Sequence, residues 1–235
     1  MNTAPKISIL LAVYNGENYI KECINSIISQ TYKDWELLIG LNGCSDKTKE
    51  ICKSYNDNRI KIFDYENDKG KAKTLNKLLK ESSCEWLAMQ DHDDIWLSKK
   101  LQTQINFIEN NDNVDVVGAN ALYINKDGFQ MGKPDIHSFR QNEIKNSCLE
   151  GSNQIINSSA VFKKSKVLEV GGWNEEKDIQ GIEDFDLWLT LIKNQCTFAN
   201  IKKIFVLHRI HSQSNFNTQK YDIQSLIDKY KENAN

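Results

Sequence analysis

The chain has 235 residues, of which 26% are charged and 40% hydrophobic, and its net charge is −2 at pH 7. This length suits one α/β domain with a sizeable core. The near-neutral charge and scattered lysines argue against nucleic acid as the main partner. The six cysteines form no C-x-x-C pair, which favours a reducing compartment over a disulfide framework. Because we find no charged-then-apolar leader and no apolar run of about 18 residues, we expect a soluble, cytoplasmic protein.

Strand and helix patterns alternate along the first part of the chain, and this alternation predicts a parallel sheet. After residue 96 the rhythm changes, which indicates a smaller, mixed half. The predicted strands are 7–14, 35–41, 60–63, 86–89, 114–117 and 121–124; the predicted helices are 19–28, 47–54, 71–80, 98–109 and 185–192; and a Gly/Pro-containing stretch covers 127–134.

The polar residues that follow these strands are predicted to meet at one rim, because ligands of open parallel sheets bind outside the carboxyl ends of the strands. They fall at 15–16, 42–43, 67–68 and 91–94. The last of these, Asp91-His92-Asp93-Asp94, puts three carboxylates into four residues. Such a loop suits a hard divalent ion, Mg²⁺ or Mn²⁺, with positions left for phosphate oxygens. The alternative is a solvated acidic turn before a helix, where acids are also favoured.

Several stretches, in their order along the chain, resemble motifs of one protein family. They are 7–15, 29–32 with 35–39, 71–76, 90–96, 170–174 and 183–188. Over roughly residues 6 to 215 the chain resembles a family 2 glycosyltransferase of the GT-A fold. The resemblance implies an α/β, Rossmann-like fold with a central, mostly parallel sheet flanked by helices.

The resemblance also implies a function. It is the metal-dependent, inverting transfer of a sugar from a nucleoside diphosphate sugar, with a UDP-sugar as our first choice, to a hydroxyl of a glycan or lipid-linked glycan. The bacterial products expected are lipopolysaccharide, capsule or another surface polysaccharide. Peripheral association with the inner face of the membrane is an open alternative, and the sequence does not indicate an oligomeric state.

We expect one domain over 1–235, with a nucleotide-sugar and metal half at about 6–96, an acceptor half at about 97–215 and a helix at about 216–235. That helix, predicted from about Lys220, has Ile223, Leu226, Ile227 and Tyr230 at helical spacing. Because its opposite face mixes Asp and Lys, the stripe favours a packing or dimer face over a membrane anchor.

The implied catalytic roles fall on carboxylates. Asp184 is the expected general base and Glu183 the second choice, because an acceptor hydroxyl must lose a proton; acids that stabilise a helix start are the alternative. Asp93 is the expected metal ligand, with Asp91 supporting the metal through water or facing the ribose. His211 resembles a histidine that completes the metal or diphosphate site, with a structural histidine as the alternative.

Further residues are predicted to surround the donor and the acceptor. The donor set is Ala12, Tyr14, Asn15, Asn42, Lys71, Lys73, Asp91 and His92, and the acceptor set is Ser158, Ser159, Trp173 and Asp94. Tyr14 could stack on a base or pack in the core. Asn42 departs from the family pattern, which has an Asp there, so the hydrogen bond to a uracil N–H would lack charge assistance.

Two other classes remain open at this point. A nucleotidyltransferase would share the sheet and the carboxylate-bound metal, but no Gly-rich, basic phosphate loop follows the first strand. A binding module with a decayed site is suggested by Asn42 and opposed by the presence of Asp91, Asp93 and Asp184.

Overall fold

The computed structural model describes residues 6–66, 70–176, 179–212, 214 and 223–232. The strands are β1 (Ile7–Val13), β2 (Trp35–Leu41), β3 (Ile60–Asp64), β4 (Trp86–Met89), β5 (Ile95–Trp96), β6 (Val116–Ile124), β7 (Val161–Lys163) and β8 (Phe198–Arg209). The helices are α1 (Ile20–Ile28), α2 (Thr48–Lys53), α3 (Lys71–Glu81), α4 (Lys100–Glu109), α5 (Gln141–Leu149), α6 (Lys164–Glu169), α7 (Glu183–Lys193) and α8 (Ile223–Glu232), with a 3₁₀ turn at Asn157–Ser159.

The strands form one mixed sheet in the order β3-β2-β1-β4-β7-β6-β8-β5. Strands β1 to β4 are parallel to one another, as the alternating pattern predicted. Every residue of β1 and β2 is buried, because helices cover both faces of the sheet. Along β1, Leu10 packs with the α3 side while Ile9 and Leu11 pack with the α1 side, so one strand contributes to both hydrophobic clusters.

The second half adds antiparallel pairing. Strand β7 lies antiparallel between β4 and β6, and β5 lies antiparallel to β8, while β6 and β8 run parallel. The strands predicted at 114–117 and 121–124 are a single strand, β6, whose pairing with β8 shifts register around Asn120. We did not predict β8, a strand of 12 residues that lies between β6 and β5.

The C-terminal helix α8 packs onto the molecule by the predicted stripe. Leu226 and Ile227 are buried in the α3-side cluster, and the Tyr230 hydroxyl donates a hydrogen bond of 2.8 Å to Asp186 Oδ1. The predicted helix start near Lys220 and the turn at 67–68 lie outside the described residues. None of the described helices combines the length and the apolarity needed to cross a bilayer. None of the six cysteines is in a disulfide.

Candidate active site

A cavity of about 700 Å³ lies beyond the carboxyl ends of β1, β2 and β4, at the rim where the sequence predicted a site. Loops after these strands form one wall, and β6, β8 and the start of α7 contribute to the other. The predicted residues that line it are Ala12, Tyr14, Asn15, Asn42, Lys71, Asp91, His92, Asp93, Asp184 and His211.

Asp91 is held by three side chains. The Lys71 ammonium lies 2.7 Å from its Oδ1, while Asn157 Nδ2 and Ser158 Oγ donate to Oδ2 at 2.9 and 3.0 Å. Burial raises the pKa of Asp91, but the charge and hydrogen bond of Lys71, together with the hydrogen bonds from Asn157 and Ser158, hold the pKa below its usual range. Asp91 is therefore a fixed anion at the cavity wall.

Asp93 and His211 both line the cavity and contact each other, with 3.0 Å between Asp93 Oδ2 and His211 Nε2. The His211 ring lies against Tyr19, with 4.9 Å between ring centroids. Burial raises the pKa of Asp93, but the hydrogen bond with His211 and nearby histidine charge lower it overall. The pairing brings together two predicted metal-site residues that are far apart in sequence.

The ligand atoms that Asp93 and His211 offer are suited to a divalent cation. A carboxylate oxygen and an imidazole nitrogen are both Mn²⁺ ligands, and Mg²⁺ accepts the oxygen. Among the described residues, no group of three or more His, Cys, Asp or Glu side chains is arranged to hold a metal. A cation held by Asp93 and His211 would therefore take further ligands from a bound diphosphate and water.

Asp94 is fully buried and does not face the cavity. It accepts hydrogen bonds from Ser158 Oγ and from the Arg209 backbone N–H at 2.9 Å, and its Oδ2 lies 3.0 Å from His208 Nδ1. Burial raises the pKa of Asp94. Burial lowers the pKa of His208, but the charge and hydrogen bond of Asp94, together with the charges of Asp93 and Asp91, raise that pKa to about 9. Asp94 thus fastens β8 to the acidic loop, and the structure does not bring it to an acceptor position.

Asp184 lies in the first turn of α7 and lines the cavity. Burial, together with repulsion from Glu183, raises the pKa of Asp184 to about 7, although Lys71 opposes the rise. Glu183 is buried behind it, where its carboxylate lies 3.5 Å from Lys71 Nζ and accepts a hydrogen bond from the Gly181 N–H. The structure therefore gives the two acids different roles: Asp184 faces the cavity and Glu183 supports Lys71.

The part of the cavity next to the carboxyl ends of β1 and β2 contains three of the residues predicted to bind the donor. Tyr14 is 51% exposed, so its ring is not part of the core. Asn15 has φ = 48°, and its side-chain oxygen accepts the Ser45 N–H at 2.9 Å. Asn42 is buried, and its Oδ1 accepts the Gly70 N–H at 3.0 Å. Asn42 therefore fixes the backbone at the start of α3 while it lines the cavity.

His92 and Lys73 have different surroundings. The His92 ring packs over Gly16, where a Cβ would lie 2.5 Å from His92 Cδ2, so the absent side chain makes room for the imidazole. Lys73 is not among the cavity-lining residues, and its side-chain carbons lie beside Gly70. The predicted pair of lysines is thereby divided, and Lys71 alone lies at the cavity.

The residues predicted for the acceptor side are mostly structural. Ser158 and Ser159 are fully buried, and Ser159 Oγ accepts the Ala119 N–H at 3.0 Å. Trp173 lies in the core, with its ring 6.0 Å from that of Phe162. Asn76 hydrogen-bonds both the N–H and the C=O of Trp173 at 2.8 Å, which links α3 to this loop. The structure does not bring Ser158, Ser159 or Trp173 to the cavity surface.

Three polar residues that we did not predict line the opposite wall. Tyr123 donates a hydrogen bond of 2.7 Å to Asp135 Oδ2, and His137 Nε2 lies 3.1 Å from the same oxygen. The hydrogen bond with His137 lowers the pKa of Asp135, and burial opposes this effect. The sequence offered only a weak signal, the polar alternation Asp135-x-His137 after a Gly/Pro stretch.

Arg209 is an internal support. It is 2% exposed, and its guanidinium reaches Asp93 O at 3.0 Å, Glu22 Oε2 at 2.5 Å, and the carbonyls of Asn125 and Lys126 at 3.2 and 3.0 Å. These bonds connect the acidic loop to α1 and to the turn after β6.

The chain is similar to known glycosyltransferases. The family described as Glycosyl transferase family 2 matches residues 8–171. The O-antigen biosynthesis glycosyltransferase WbnJ of Escherichia coli is 32% identical over 91% of this chain and 82% of its own length. The UDP-Glc:alpha-D-GlcNAc-diphosphoundecaprenol beta-1,3-glucosyltransferase WfgD of Escherichia coli is 29% identical over 92% of this chain and 81% of its own length.

A solved structure supports the fold. The crystal structure of S. aureus TarS 1-349 in complex with UDP-GlcNAc superimposes with a TM-score of 0.80 at 19% identity, over 98% of this chain and 67% of that one. The match to the family and the shared architecture agree with the predicted GT-A fold. This chain belongs to glycosyl transferase family 2.

Proposed function

We propose that this glycosyltransferase moves a sugar from a UDP-sugar to a hydroxyl of a lipid-linked surface glycan, with inversion at the anomeric carbon. The observation that carries the proposal is that Asp184 faces the same cavity as the Asp93–His211 pair. A base and a diphosphate-binding pair are the two functions that such a transfer needs, because the acceptor must lose a proton and the leaving group must be stabilised.

Asp184 is the proposed general base. Its carboxylate takes the proton of the acceptor hydroxyl while that oxygen attacks the anomeric carbon and the bond from this carbon to the diphosphate oxygen breaks. A pKa of about 7 suits this task, because the group is then a stronger base than an ordinary Asp and is still substantially ionised at neutral pH. Since a single base faces the cavity at α7, direct displacement accounts for inversion.

Asp93 and His211 are proposed to hold a divalent metal together with the donor diphosphate. When bound, Mn²⁺ or Mg²⁺ would supply positive charge to the departing diphosphate. Lys71 neutralises Asp91 at the same wall, which limits the repulsion that an incoming diphosphate would meet there. Asp91 then supports the site from a fixed position.

The nucleotide is proposed to be uridine diphosphate. WfgD is named for a UDP-Glc donor, and the TarS structure contains UDP-GlcNAc. At the donor end, the exposed Tyr14 ring offers a stacking surface for a base. Asn15 and Asn42 complete that end of the cavity, where Asn42 Oδ1 already accepts one backbone N–H and retains a second lone pair.

The acceptor is proposed to enter at the opposite wall, against Tyr123, Asp135 and His137. An ionised Asp135 that also contacts a phenol and an imidazole offers the hydrogen-bonding groups that sugar hydroxyls require. WfgD is named for a diphosphoundecaprenol-linked acceptor, which supports a lipid-linked glycan and work at the inner face of the membrane.

The direct test is calorimetric titration with UDP, GDP and dTDP, each with Mn²⁺ and again with chelator. We expect UDP to bind in the presence of Mn²⁺ and to lose at least about tenfold in affinity with chelator. Asp93→Ala should reproduce the chelator result, whereas Asp112→Asn, an exposed acid elsewhere, should not. Binding of another nucleotide in preference to UDP, or affinity that ignores the metal, would contradict the donor or metal assignment respectively.

A further inference from the structure

The exposed apolar residues are concentrated in one segment, residues 125–140, which joins β6 to α5. Eight large hydrophobic side chains are exposed in the described part of the chain, and four of them lie here: Phe129, Met131, Ile136 and Phe139. Phe129 and Ile136 are each 71% exposed, more than any of the others. Clustering of this kind marks an interaction surface, whereas isolated exposed residues do not.

The backbone of segment 125–140 is hydrogen-bonded to the sheet. Met131 N–H donates to Tyr123 O at 2.8 Å and Asp135 N–H to Ala121 O at 2.9 Å, while the Asn125 N–H closes the turn within the segment by donating to Phe129 O at 2.9 Å. The apolar side chains therefore project from a backbone that the sheet fixes.

The charges around these side chains are mainly positive. The exposed basic residues on the segment and on the neighbouring part of β8 are Lys126, Lys133, Arg140, Lys202 and Lys203. The Lys202 ammonium lies 3.4 Å from the centroid of the Phe139 ring. The segment carries two acids: Asp127 is exposed, and Asp135 binds Tyr123 in the cavity wall. Interleaved apolar and basic side chains complement an anionic lipid surface, where rings enter the headgroup layer and ammonium groups meet phosphates.

The segment also borders the cavity. Asp135 and His137 line the cavity, while Ile136 between them is exposed, as expected where successive side chains of extended backbone point to opposite sides. A surface that covers Ile136 therefore lies next to the wall proposed for the acceptor.

We propose that segment 125–140 docks the protein onto an anionic phospholipid bilayer through Phe129, Met131 and Ile136, with Lys126 and Lys133 meeting the lipid phosphates. This docking places the acceptor end of the cavity at the lipid surface. The inference deepens the proposed location at the membrane, but vesicle binding requires neither donor nor acceptor. Vesicle binding can therefore be absent while UDP binds, and UDP binding can be absent while the protein binds vesicles, so the two proposals fail separately.

The test is co-sedimentation of the full chain with vesicles of phosphatidylcholine mixed with phosphatidylglycerol, and with vesicles of phosphatidylcholine alone. We expect binding to the anionic vesicles that weakens as salt is raised. The double variant Phe129→Ser, Ile136→Ser should lose at least about tenfold in vesicle affinity, and so should Lys126→Gln, Lys133→Gln. The matched control is Leu168→Ser on α6, which removes a 50% exposed apolar side chain and should bind like the unaltered protein.

Three results would overturn the inference. One is that the unaltered protein does not sediment with anionic vesicles. The second is that both double variants bind as well as the unaltered protein, with unchanged thermal unfolding to show that they are folded. The third is that the chain self-associates without lipid and the serine double variant disperses it, because the segment would then be a contact between copies of the chain.

Discussion

At the residue scale, Asp184 differs from the other carboxylates at the cavity. Asp91 and Asp93 have positively charged or hydrogen-bonding partners that lower their pKa values, whereas Asp184 has burial and Glu183 to raise its pKa to about 7. Separation of pKa values among neighbouring acids is typical of sites where one acid exchanges a proton and the others hold charge.

The first prediction is the effect of Asp184→Asn. The change removes the proton acceptor but keeps size and polarity, so we expect the turnover rate to fall by about a hundredfold to ten-thousandfold with unchanged UDP affinity. Transfer to a glycoside acceptor and calorimetric UDP titration measure the two quantities. Asp112→Asn serves as the exposed control. Equal loss of UDP binding in the Asp184 variant would remove Asp184 from the role of base.

A second prediction concerns pH. Because the base acts in its deprotonated form, kcat/KM should fall as pH drops below about 7, the pKa of Asp184, and reach a plateau above it. Lys71 lowers that pKa, so Lys71→Met should move the profile to higher pH. It should also destabilise the fold by about 2 kcal/mol, since Asp91 and Glu183 lose their cation. If the pH profile of the folded Lys71→Met variant did not shift, a group other than Asp184 would control the rate.

At the element scale, a buried carboxylate joins the amino-terminal ends of the parallel strands. Glu36 on β2 accepts hydrogen bonds from Ser8 on β1 at 2.6 Å and from both the N–H and the hydroxyl of Ser83, just before β4, at 2.8 and 2.7 Å. Lys61 on β3 lies 2.7 Å from its other oxygen. Burial raises the pKa of Glu36, but the bonds from Lys61, Ser8 and Ser83 together lower it to about 2.

The third prediction follows from this network. Glu36→Gln should lower the free energy of unfolding by about 1 to 3 kcal/mol at neutral pH, because it replaces a charged acceptor with one that cannot satisfy all donors. Because the pKa of Glu36 is lower in the folded protein than its ordinary value of 4.5, the ionised carboxylate stabilises the fold above pH 4.5. This contribution is lost as the pH falls from 4.5 towards 2. The difference between the two proteins in urea unfolding should therefore shrink from pH 7 to pH 3.

The control for this measurement is Glu109→Gln, which removes an exposed ion pair of 4.0 Å with Lys6. We expect a change below about 0.5 kcal/mol. If the Glu36 variant behaved like this control, or if its deficit stayed constant with pH, the buried network would not stabilise the sheet as described.

How well each element could be predicted depended on how completely it is buried. The boundaries of β2 and β4 were predicted correctly because mostly apolar runs are typical of strands covered on both faces, and Glu36 is the one charged residue in the two strands. Strand β8 was missed because exposed Lys202 and Lys203 interrupt its apolar pattern. Strand β6 was predicted as two pieces because Gly118 and Asn120 interrupt its apolar pattern, although both lie in the strand and the register shifts at Asn120.

The same limit applies to the site. The resemblance to family motifs predicted that five residues share one site, and all five line one cavity: Lys71, Asp91, Asp93, Asp184 and His211. Pairings between distant segments could not be predicted from local spacing. The bond between Asp94 and His208 spans 114 positions, and the position of Trp173 in the core depends on Asn76, 97 positions away.

At the scale of the whole molecule, the two hydrophobic clusters lie on the two faces of one sheet and do not divide the chain into an early and a late part. The cluster on the α3 side includes residues from β1 and from α7, and the cluster on the α1 side includes residues from β2 and from β8. We therefore propose that the nucleotide and acceptor halves form one folding unit.

The fourth prediction is a single unfolding transition. Tryptophan fluorescence reports both clusters, since Trp173 and Trp188 lie in one and Trp35 and Trp96 in the other. Fluorescence, circular dichroism and calorimetry should give coincident midpoints. Two calorimetric peaks, or a fluorescence transition separated from the loss of secondary structure, would show that the halves unfold independently.

The position of β8 in the sheet has a consequence for biosynthesis. The acidic loop leaves the ribosome long before β8, yet His208 and the Arg209 N–H that hold Asp94 belong to β8, and His211 follows it. Strand β8 also lies between β6 and β5, so the sheet is incomplete until β8 is inserted. Completion of the cavity is therefore a late event in the synthesis of each new chain, because the partners of Asp94 and Asp93 are made 114 and 118 positions after them.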